Sequence, residues 1–441
     1  MLEAKRRERQ ARYRFDTLAV SGRYDHAEAL RNQGAICEPL YLASAEHFDS
    51  AEDMRLALTG EKDGWIYTRI GNPTITHLES VLASLEGYGQ AQPVTSCVVS
   101  SGMTAVFMAT QPFLHRHAGE RPNMVVSAAC YGGTFMLFNQ RYAAEQGIDI
   151  RWVRDPLAVD EWAALVDANT RLLYLETPAN PTLELPDIAA LATLATAHEV
   201  PLIVDATLAT PALLRPIGLG ADIVVHSLSK GMGASGLCIG GVVSARHTIR
   251  SRWASPAVCD DFAAYLKKGP LRDLGCILSP FNAGLILCDL RSLRSRIDSM
   301  SSSALRVARF LADHPGVGPV YYPGLESSPS HGNARRDLVL VDSELDGPAL
   351  NRYGHLLSFR VEGGVARCAQ VFDRLQLIFR ANDLGRVKST ATIPAIATHK
   401  QAHDADSAQA PVSAELIRLS VGLEHVEDIL DDLQQALEPN P

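Results

Sequence analysis

The hydrophobic pattern between residues 94 and 243 repeats one unit: a short run that is apolar on both faces, a turn, and an amphipathic stretch. Runs of this kind, such as MVVSA and RLLYLE, are typical of strands buried in a parallel sheet. The amphipathic stretches between them leave room for crossover helices. Strands that alternate with helices in this way predict an α/β fold with a mainly parallel sheet.

The stretch from Pro201 to Val243 contains three such runs, PLIV, IVVH and IGGVV, and we expect all three to join the parallel sheet. The run PLIV ends on Asp205, and IVVH leads through a Ser-Leu-Ser turn to Lys230. Ligands of open parallel sheets bind beyond the carboxyl ends of the strands. The pattern therefore predicts a ligand site in which a carboxylate and a lysine lie at neighbouring strand ends.

The pattern changes outside this central region. Residues 16–60 and 253–280 look irregular, and the first of these stretches is predicted to be an arm that packs on the rest of the chain. A long apolar helix from Pro280 leads into a smaller α+β region, which includes a polar, loose loop at 401–411. The predicted organisation is an N-terminal arm at 1–61, a large domain at 62–285 and a small C-terminal domain at 286–441.

Two segments carry candidate phosphate ligands. Tyr67 and Arg69 alternate with apolar neighbours on an extended piece, so that a phenol and a guanidinium face the same side; the pair suits a phosphate, or is simply part of an exposed edge strand. Gly102 and Met103 follow a strand-like run and open a helical pattern. Free N–H groups and the helix dipole favour an anion at such a start, although many strand-to-helix turns have this composition.

Two further residues follow predicted strands and suit a flat ring. Tyr131 opens a helix directly after a strand, where an aromatic side chain can stack on a ring or merely pack. Asn180 lies between two prolines in a rigid turn, where its amide can donate either to a ring oxygen or to the turn backbone.

Composition and charge restrict the function classes. The chain has 441 residues, of which 46% are hydrophobic and 21% charged, as in an ordinary globular enzyme with two or three domains. Its net charge of −9 argues against a general nucleic-acid or anionic-membrane binder. No apolar run approaches the ~18 to 20 residues of a membrane span, and the basic opening MLEAKRRERQARYRF lacks the apolar core of a secretory signal.

The cysteines and histidines suggest neither disulfides nor a metal site. The eight cysteines are scattered without a pairing rhythm, and Cys97, Cys238 and Cys288 lie inside apolar runs. This pattern predicts reduced, buried thiols in a cytoplasmic protein. The 14 histidines show no metal-ligand spacing, and no metal is expected.

Two chemistries fit the pair Asp205 and Lys230. In the first, the lysine forms a Schiff base with pyridoxal 5′-phosphate, and the aspartate pairs with the ring nitrogen. In the second, Gly231, Gly233 and Gly236 form a G-x-G-x-x-G motif for a nicotinamide dinucleotide, as in an NAD-binding oxidoreductase. The residues that follow read as a strand rather than the required helix, which argues against the second chemistry. Taken singly, the aspartate also suits a helix cap and the lysine a solvated surface.

The runs IYTRIGNPT, LETPANPT, LRDLGCILSPFNA, YPGLES and IRLSVGLE identify a resemblance that extends from about residue 16 to 437. The chain resembles the pyridoxal-phosphate-dependent enzymes of cysteine and methionine metabolism, the cystathionine gamma-synthase-like family, and most of all its O-acetylhomoserine sulfhydrylase branch. The resemblance implies fold type I, like aspartate aminotransferase, with pyridoxal phosphate as cofactor. It also implies a homotetramer built from two tight dimers.

The family's cofactor contacts carry over to named positions. Lys230 would bond covalently to the cofactor and shuttle protons, and Tyr131 would stack on the ring and assist exchange of the amine. Asp205 would pair with the ring nitrogen, and Asn180 would contact the ring oxygen. The phosphate would be bound by groups from two subunits: Gly102, Met103, Ser227 and Ser229 of one chain, and Tyr67 and Arg69 of its neighbour.

The resemblance also implies the reaction. Arg418 would bind the α-carboxylate of an amino-acid substrate, with Ser389 beside it. The implied activity is γ-replacement: a group on Cγ leaves through a vinylglycine-type intermediate, and a thiol or other nucleophile takes its place. The alternative with the same residues is a γ-lyase of the methionine or cystathionine type, which releases ammonia and a keto acid.

This chain departs from the family mainly around the substrate. Ala206, Leu208 and Ser235 stand where the family often has Asn, Phe and His, and Lys388 replaces a glutamate of the cystathionine enzymes. The run Leu42-Ala43-Ser44-Ala45-Glu46 replaces a polar run near the substrate mouth. These changes suggest an altered acceptor site, or a different leaving group such as the sulfonium of S-adenosylmethionine.

Overall fold

The computed structural model describes residues 13–22, 24–62, 64–115, 120–345, 347–397 and 413–438. The predicted loop at 401–411 and residues 1–12 of the basic opening lie outside the described residues. Within the described residues, the chain forms two sheets, one of seven strands and one of five.

The seven-stranded sheet confirms the predicted α/β class. Its order is β1-β7-β6-β5-β4-β2-β3, and β2 to β6 run parallel to one another. Alternate residues face opposite sides and both sides are buried: Val204 belongs to the core on one face and Ile203 to the core on the other. The strands are β1 Val94–Val99, β2 Asn123–Ser127, β3 Asp149–Val153, β4 Thr170–Glu176, β5 Leu202–Asp205, β6 Ile223–Ser227 and β7 Gly241–Arg246.

The third apolar run of the central stretch was predicted to be parallel, and this prediction was wrong. Strand β7 pairs antiparallel with both β6 and β1. The connection between β6 and β7 contains only a short 3₁₀ turn at Gly231–Gly233 and no crossover helix, so the chain reverses direction. Gly241 begins β7 against the backbone of Ser101, where a Cβ would overlap the Ser101 carbonyl oxygen.

Helices cover both faces of this sheet. The connections between the parallel strands and around them contain Pro73–Glu86, Gly102–Thr110, Gly132–Met136 with its π-helical continuation Leu137–Ala144, Val159–Leu165, Ile188–Ala197, Thr210–Leu213 and Pro280–Leu290. The helix at Pro73 begins as its sequence favours, because Asn72 caps the Thr74 N–H and proline occupies the first turn.

The two stretches predicted to be irregular contain short helices, so that part of the prediction was wrong. The first stretch contains the helices Phe15–Ser21, His26–Arg31 and Ala51–Thr59. The second contains, in chain order, Pro256–Asp260, Phe262–Leu266, the π-helix Lys267–Leu271 and Arg272–Leu274. They are too short to show a period. Tertiary packing stabilises two of them, because Phe15 is fully buried and Phe262 stacks on Phe113. Burial of Phe15 in the main core confirms that the arm packs on the rest of the chain.

The five-stranded sheet has the order β10-β11-β12-β9-β8 and is mostly antiparallel. Its strands are β8 Val317–Tyr321, β9 Leu356–Val361, β10 Phe379–Arg380, β11 Thr390–Thr392 and β12 Leu416–Ser420. The helices of this half are Leu293–Asp313, His331–Asp337, Gly364–Arg374 and Val426–Leu437. The one long helix predicted from Pro280 is two, because the first ends at Leu290.

The predicted domain boundary at 285/286 falls inside the helix Pro280–Leu290. Ile286 and Leu290 of that helix are buried in the core of the large sheet. The three predicted domain ranges stay predictions.

None of the eight cysteines forms a disulfide, as predicted. Cys97 and Cys238 are buried, but the prediction for Cys288 was wrong, because it lies on the exposed side of its helix. Among the described residues, no helix is both long and apolar enough to cross a membrane.

Candidate active site

A cavity of about 270 Å³ opens at the carboxyl ends of β4, β5 and β6. Most of the residues predicted from sequence to bind cofactor or substrate line it: Gly102, Met103, Tyr131, Asn180, Asp205, Ser227, Ser229, Lys230 and Arg418. The topology brings them together, because parallel strands end at one edge of the sheet and β12 of the second sheet supplies Arg418.

Two buried carboxylates lie side by side at the floor of the cavity. Asp205 and Glu176 are direct neighbours in the register of β5 and β4. Burial raises the pKa of Asp205, although its Oδ1 accepts hydrogen bonds from Thr207 N at 3.0 Å and Thr207 Oγ1 at 2.6 Å. A cation in the cavity would stabilise the ionised form of Asp205, so the site fits the protonated ring nitrogen of the predicted cofactor.

Glu176 was not predicted from the sequence, where it reads as the last residue of a buried strand. Its carboxylate accepts hydrogen bonds from Tyr131 N at 2.8 Å and Asn180 N at 2.9 Å, and so joins the two segments that flank the cavity. Burial, with a smaller contribution from the charge of Asp205, raises the pKa of Glu176 to about 8. The sequence signal for Glu176 was its position at the end of a buried strand, two residues before a rigid Pro-Ala-Asn-Pro turn.

The helix Gly102–Thr110 presents its N-terminus to the cavity. Ser101 Oγ accepts the Thr104 N–H at 3.2 Å, and the N–H groups of Gly102 and Met103 have no acceptor within the helix. A Cβ on Gly102 would lie 2.6 Å from Cβ and 2.8 Å from Oγ of Ser227, so only glycine leaves this approach open. Backbone donors beside a serine hydroxyl at a helix N-terminus fit a phosphate group.

The two serines before the lysine differ in their hydrogen bonds. Ser229 Oγ donates to Gly240 O at 3.2 Å and accepts from Gly240 N at 3.0 Å, so it fastens the connection between β6 and β7. The Ser227 N–H donates to Thr207 Oγ1 at 2.8 Å, and the Ser227 hydroxyl lies against Gly102. Ser227 thus has the clearer geometry for a phosphate, and the phosphate roles of both serines stay predictions.

Arg418 is 2% exposed and is held by two hydrogen bonds. Its Nη1 donates to Asn180 Oδ1 at 3.1 Å, and its Nη2 donates to the carbonyl oxygen of Asp383 at 3.1 Å. Burial lowers the pKa of Arg418 to about 10, against the opposing charges of Asp383, Tyr131 and Glu176. A guanidinium bound only by neutral oxygens within a cavity fits a carboxylate ligand.

Lys230 immediately precedes the 3₁₀ turn after β6 and forms an ion pair that the sequence did not predict. Its Nζ lies 2.9 Å from Asp383 Oδ1, and the other carboxylate oxygen of Asp383 accepts from Arg386 Nε at 2.6 Å. Arg386 itself lines the cavity. No local pattern in the sequence marks these two residues, because they lie in a loop far along the chain from the lysine.

Three predicted residues do not line the cavity. Tyr67 and Arg69 are close to each other at the surface, with the Arg69 guanidinium 5.7 Å from the Tyr67 ring and bonded to the carbonyl oxygen of Arg272. Ser389 is fully buried, where its hydroxyl donates to Glu424 Oε2 at 2.8 Å and accepts from Gly422 N at 2.8 Å. The predicted roles of these three residues, the first two across a subunit boundary, stay predictions.

The dinucleotide alternative does not fit the structure. Gly231–Gly233 form a 3₁₀ turn, and the chain continues to β7 instead of opening a helix. A Cβ on Gly233 would overlap the carbonyl oxygen of Leu228, so this glycine serves a tight turn of the backbone. The helix N-terminus that such a motif needs is therefore missing from this described segment.

Comparisons with known proteins agree with the predicted cofactor. A family model described as Cys/Met metabolism PLP-dependent enzyme matches residues 16–438. The L-methionine gamma-lyase of Pseudomonas deceptionensis is 36% identical over 425 residues, which cover 96% of this chain and 97% of that protein. The O-succinylhomoserine sulfhydrylase of Pseudomonas aeruginosa is 34% identical over 426 residues, with coverages of 96% and 95%.

Solved structures give the same result. A putative O-acetylhomoserine (thiol)-lyase of Campylobacter jejuni, whose structure contains a pyridoxyl-lysine phosphate, superposes with a TM-score of 0.85 at 31% identity and covers 97% of this chain and 100% of that one. The cystathionine gamma-lyase of Lactobacillus plantarum, complexed with L-serine, gives 0.80 at 29% identity, with coverages of 96% and 98%. Lyases and sulfhydrylases are therefore similar to this chain to about the same degree.

Proposed function

Because this chain belongs to the Cys/Met metabolism PLP-dependent enzymes, with fold type I and pyridoxal phosphate as cofactor, we propose that it catalyses γ-replacement. The substrate is an amino acid activated at Cγ, of the O-acyl-homoserine type, and a thiol or another nucleophile takes the place of the leaving group. The observation that carries the proposal is that Lys230, Asp205 and Arg418 meet in one cavity. Similarity to sulfhydrylases supports replacement as the outcome.

Each end of the cavity has its own binding task. The N–H groups of Gly102 and Met103, with the Ser227 hydroxyl, bind the cofactor phosphate, and Asp205 holds the protonated ring nitrogen. Arg418 binds the substrate α-carboxylate. Bound pyridoxal phosphate supplies an electron sink that makes protons on the substrate Cα, and then on Cβ, acidic.

Lys230 moves the protons. Its Nζ, once free of the cofactor, is the amine that the cavity offers as a base for the Cα proton and then for the Cβ proton. Loss of the Cβ proton expels the group on Cγ with its bonding electron pair. The incoming nucleophile then bonds to Cγ, and protons return to Cβ and Cα. Tyr131, whose backbone Glu176 fixes, flanks the same space and assists the exchange of amines.

The departures near the substrate suggest what the leaving group and nucleophile are like. Leu208, Ile239 and Leu384 give the cavity apolar walls. Ser235 lies at a position that is often histidine in the family, and both its N–H and its hydroxyl donate to Asp289 Oδ2. An acceptor site altered in this way suits a nucleophile other than sulfide, or a bulkier leaving group such as a sulfonium.

The experiment that tests γ-replacement is mass analysis of the products from a donor and acceptor panel. The donors are O-acetyl-L-homoserine, O-succinyl-L-homoserine and S-adenosylmethionine, each with and without sulfide or a small thiol. Replacement predicts a new amino acid that contains the nucleophile. If every donor gives ammonia and a keto acid whether or not a nucleophile is present, the replacement proposal fails.

The second candidate is a γ-lyase, which the similarity to methionine gamma-lyases favours. The same residues would serve it, with release of ammonia and a keto acid in place of addition. L-Methionine without any nucleophile separates the two candidates: rapid formation of 2-oxobutanoate identifies a lyase, whereas a replacement enzyme gives little.

We also propose a homotetramer in which neighbouring subunits share active sites. Tyr67, which is 43% exposed, and Arg69 lie outside the cavity of their own chain, which is expected if they reach the phosphate of another subunit. Mixing inactive Lys230→Ala and Arg69→Ala proteins under conditions of subunit exchange should restore part of the activity. Hybrids that stay inactive would mean that the sites are not shared.

A further inference from the structure

Arg386 is a basic residue of the cavity lining to which the function above assigns no task. Among the described residues, two other basic side chains line the cavity, and the proposed function uses both: Lys230 bonds to the cofactor and Arg418 binds the substrate α-carboxylate. The carboxyl groups of the lining, Glu176 and Asp205, lie at its floor. Arg386 is therefore the cation of the lining whose ligand is still to be identified.

The guanidinium of Arg386 is fixed at two of its three nitrogens. Nε donates to Asp383 Oδ2 at 2.6 Å, and Nη1 donates to the carbonyl oxygen of Gly233 at 2.9 Å. The Arg386 side chain is 13% exposed and belongs to the cavity lining, whereas Asp383 does not. The guanidinium therefore reaches the cavity, and the carboxylate that holds it lies outside the lining.

The third nitrogen of this guanidinium is open to a ligand. Nη2 of Arg386 has no hydrogen-bond acceptor in the part of the chain that the structure describes. Guanidinium N–H groups form their strongest hydrogen bonds with carboxylates and phosphates. An uncharged apolar group at the same place would leave these donors unpaired, which is unfavourable in a partly buried site. Arg386 therefore favours a ligand with an anionic group.

Arg386 and Arg418 are bonded to different segments, so they suit two different anionic groups. Arg418 Nη1 donates to Asn180 Oδ1, in the turn after β4. Arg386 instead bonds to Gly233, in the connection between β6 and β7, and a Cβ on Gly236 of the same connection would lie 3.5 Å from Arg386 Cδ. A substrate that pairs with both guanidinium groups must carry a second anionic group in addition to its α-carboxylate.

We propose that Arg386 is a specificity-determining residue that binds a carboxylate on the group exchanged at Cγ. The inference rests on the function proposed above and names its substrate class. With the α-carboxylate at Arg418, the second carboxylate belongs either to the acyl group that leaves, as in a dicarboxylic half-ester of homoserine, or to the thiol that enters. A sulfonium leaving group would bring a positive charge towards Arg386 and is therefore disfavoured.

The test uses pairs of substrates that differ in the carboxylate. O-Succinyl-L-homoserine is paired with O-butanoyl-L-homoserine, whose acyl chain has the same length without the charge, and mercaptoacetate is paired with 2-mercaptoethanol. The kcat/KM of the holoenzyme is measured for each donor with 2-mercaptoethanol, and for each thiol with O-acetyl-L-homoserine. A preference of about tenfold or more for the charged member assigns the carboxylate to the leaving group in the first pair, or to the nucleophile in the second.

Variants then assign the preference to Arg386. The ratio of charged to uncharged substrate is compared, because it cancels effects that both substrates share. Arg386→Gln should bring the preferred pair to within about threefold of equality, and Arg386→Lys, which keeps the charge but not the planar fork, should keep part of the preference. The control is Asp289→Asn, which loosens the same connection through Ser235 N and Oγ without bonding to Arg386. Its ratio should equal that of the wild type.

Two results would overturn the proposal: a wild-type enzyme without preference in either pair, and a preference that persists in Arg386→Gln, even if both rates fall. If Arg386→Gln does not fold, Arg386→Lys and the wild-type comparison decide instead. If the donors give only ammonia and a keto acid, γ-replacement fails, whereas the donor ratio, followed through the keto acid, still tests Arg386. If no ester reacts, the proposed donor class fails, and the affinities of the paired esters for the holoenzyme make the same comparison.

Discussion

The two walls of the cavity are built differently. The proposed cofactor wall consists of Gly102, Asp205, Ser227 and Lys230 at the ends of strands and at one helix N-terminus. The proposed substrate wall includes Arg386 and Arg418, which the C-terminal half supplies from a loop and from β12. On the cofactor wall, backbone geometry positions the ligands; on the substrate wall, side chains hold one another. Variants of the two walls should therefore fail in different ways.

The two walls also differ in the charge of the ligand that they suit. Burial raises the pKa of the carboxylic acids at the cofactor wall and lowers the pKa of the guanidinium at the substrate wall. In each case a buried ionisable group lacks a full counter-charge, which is the arrangement expected where a ligand of opposite sign is proposed to bind. The cofactor wall is prepared for a cationic ring, and the substrate wall for a carboxylate.

The largest expected effect is on the cofactor wall. Asp205→Asn keeps the shape but removes the charge that holds the ring nitrogen protonated, and kcat should fall by about 10³ or more. The variant should still bind the cofactor, because the phosphate contacts remain. Steady-state kinetics and the visible absorption spectrum check this, with Asp205→Glu as the charge-preserving control; a fully active Asp205→Asn would refute the assignment.

A substrate-wall variant should act on KM instead. Arg418→Leu loses the charged hydrogen bonds to the substrate carboxylate, so KM should rise roughly 10- to 100-fold while the affinity for the cofactor stays as in the wild type. Equilibrium dialysis of pyridoxal phosphate and initial-rate kinetics separate the two quantities. If Arg418→Leu loses as much affinity for pyridoxal phosphate as for the substrate, the two walls do not bind different ligands.

Gly102→Ala tests the phosphate end of the cofactor wall. The added Cβ meets Ser227 at 2.6 Å and must displace it, so the affinity for pyridoxal phosphate should fall about tenfold. The control is Gly332→Ala, where no atom lies within 4 Å of the added Cβ. Equal affinities in the two variants would show that the approach of Gly102 to Ser227 does not matter for the phosphate.

The last expected effect is on stability rather than on activity, and it concerns the cofactor-free protein. Glu176 has a pKa of about 8 when folded and an ordinary value of 4.5 when unfolded, so the folded state retains its proton longer. Its contribution to the unfolding free energy is complete below about pH 4.5 and is lost as the pH rises to about 8. The unfolding free energy of Glu176→Gln, measured with denaturant, should therefore fall less steeply with pH across this window than that of the wild type. Identical slopes of unfolding free energy against pH would contradict the assigned burial of Glu176.

The difference between the walls also explains what the sequence could predict. The fold class, Asp205 and Lys230 follow from apolar runs and from what ends them, because strand ends and ligand edges coincide in parallel sheets. The reversal at β7 was missed, because an apolar strand reads alike in either direction. Asp383 was missed because its partner lies 153 residues earlier in the chain, and no local period marks a residue in a loop.

The most direct test of the account is to reduce the holoprotein with borohydride, digest it and measure the masses of the lysine-containing peptides. The account predicts that the peptide with Lys230, and no other, gains the mass of a pyridoxyl phosphate group. An unchanged mass for that peptide, or the added mass on a different lysine, would contradict it.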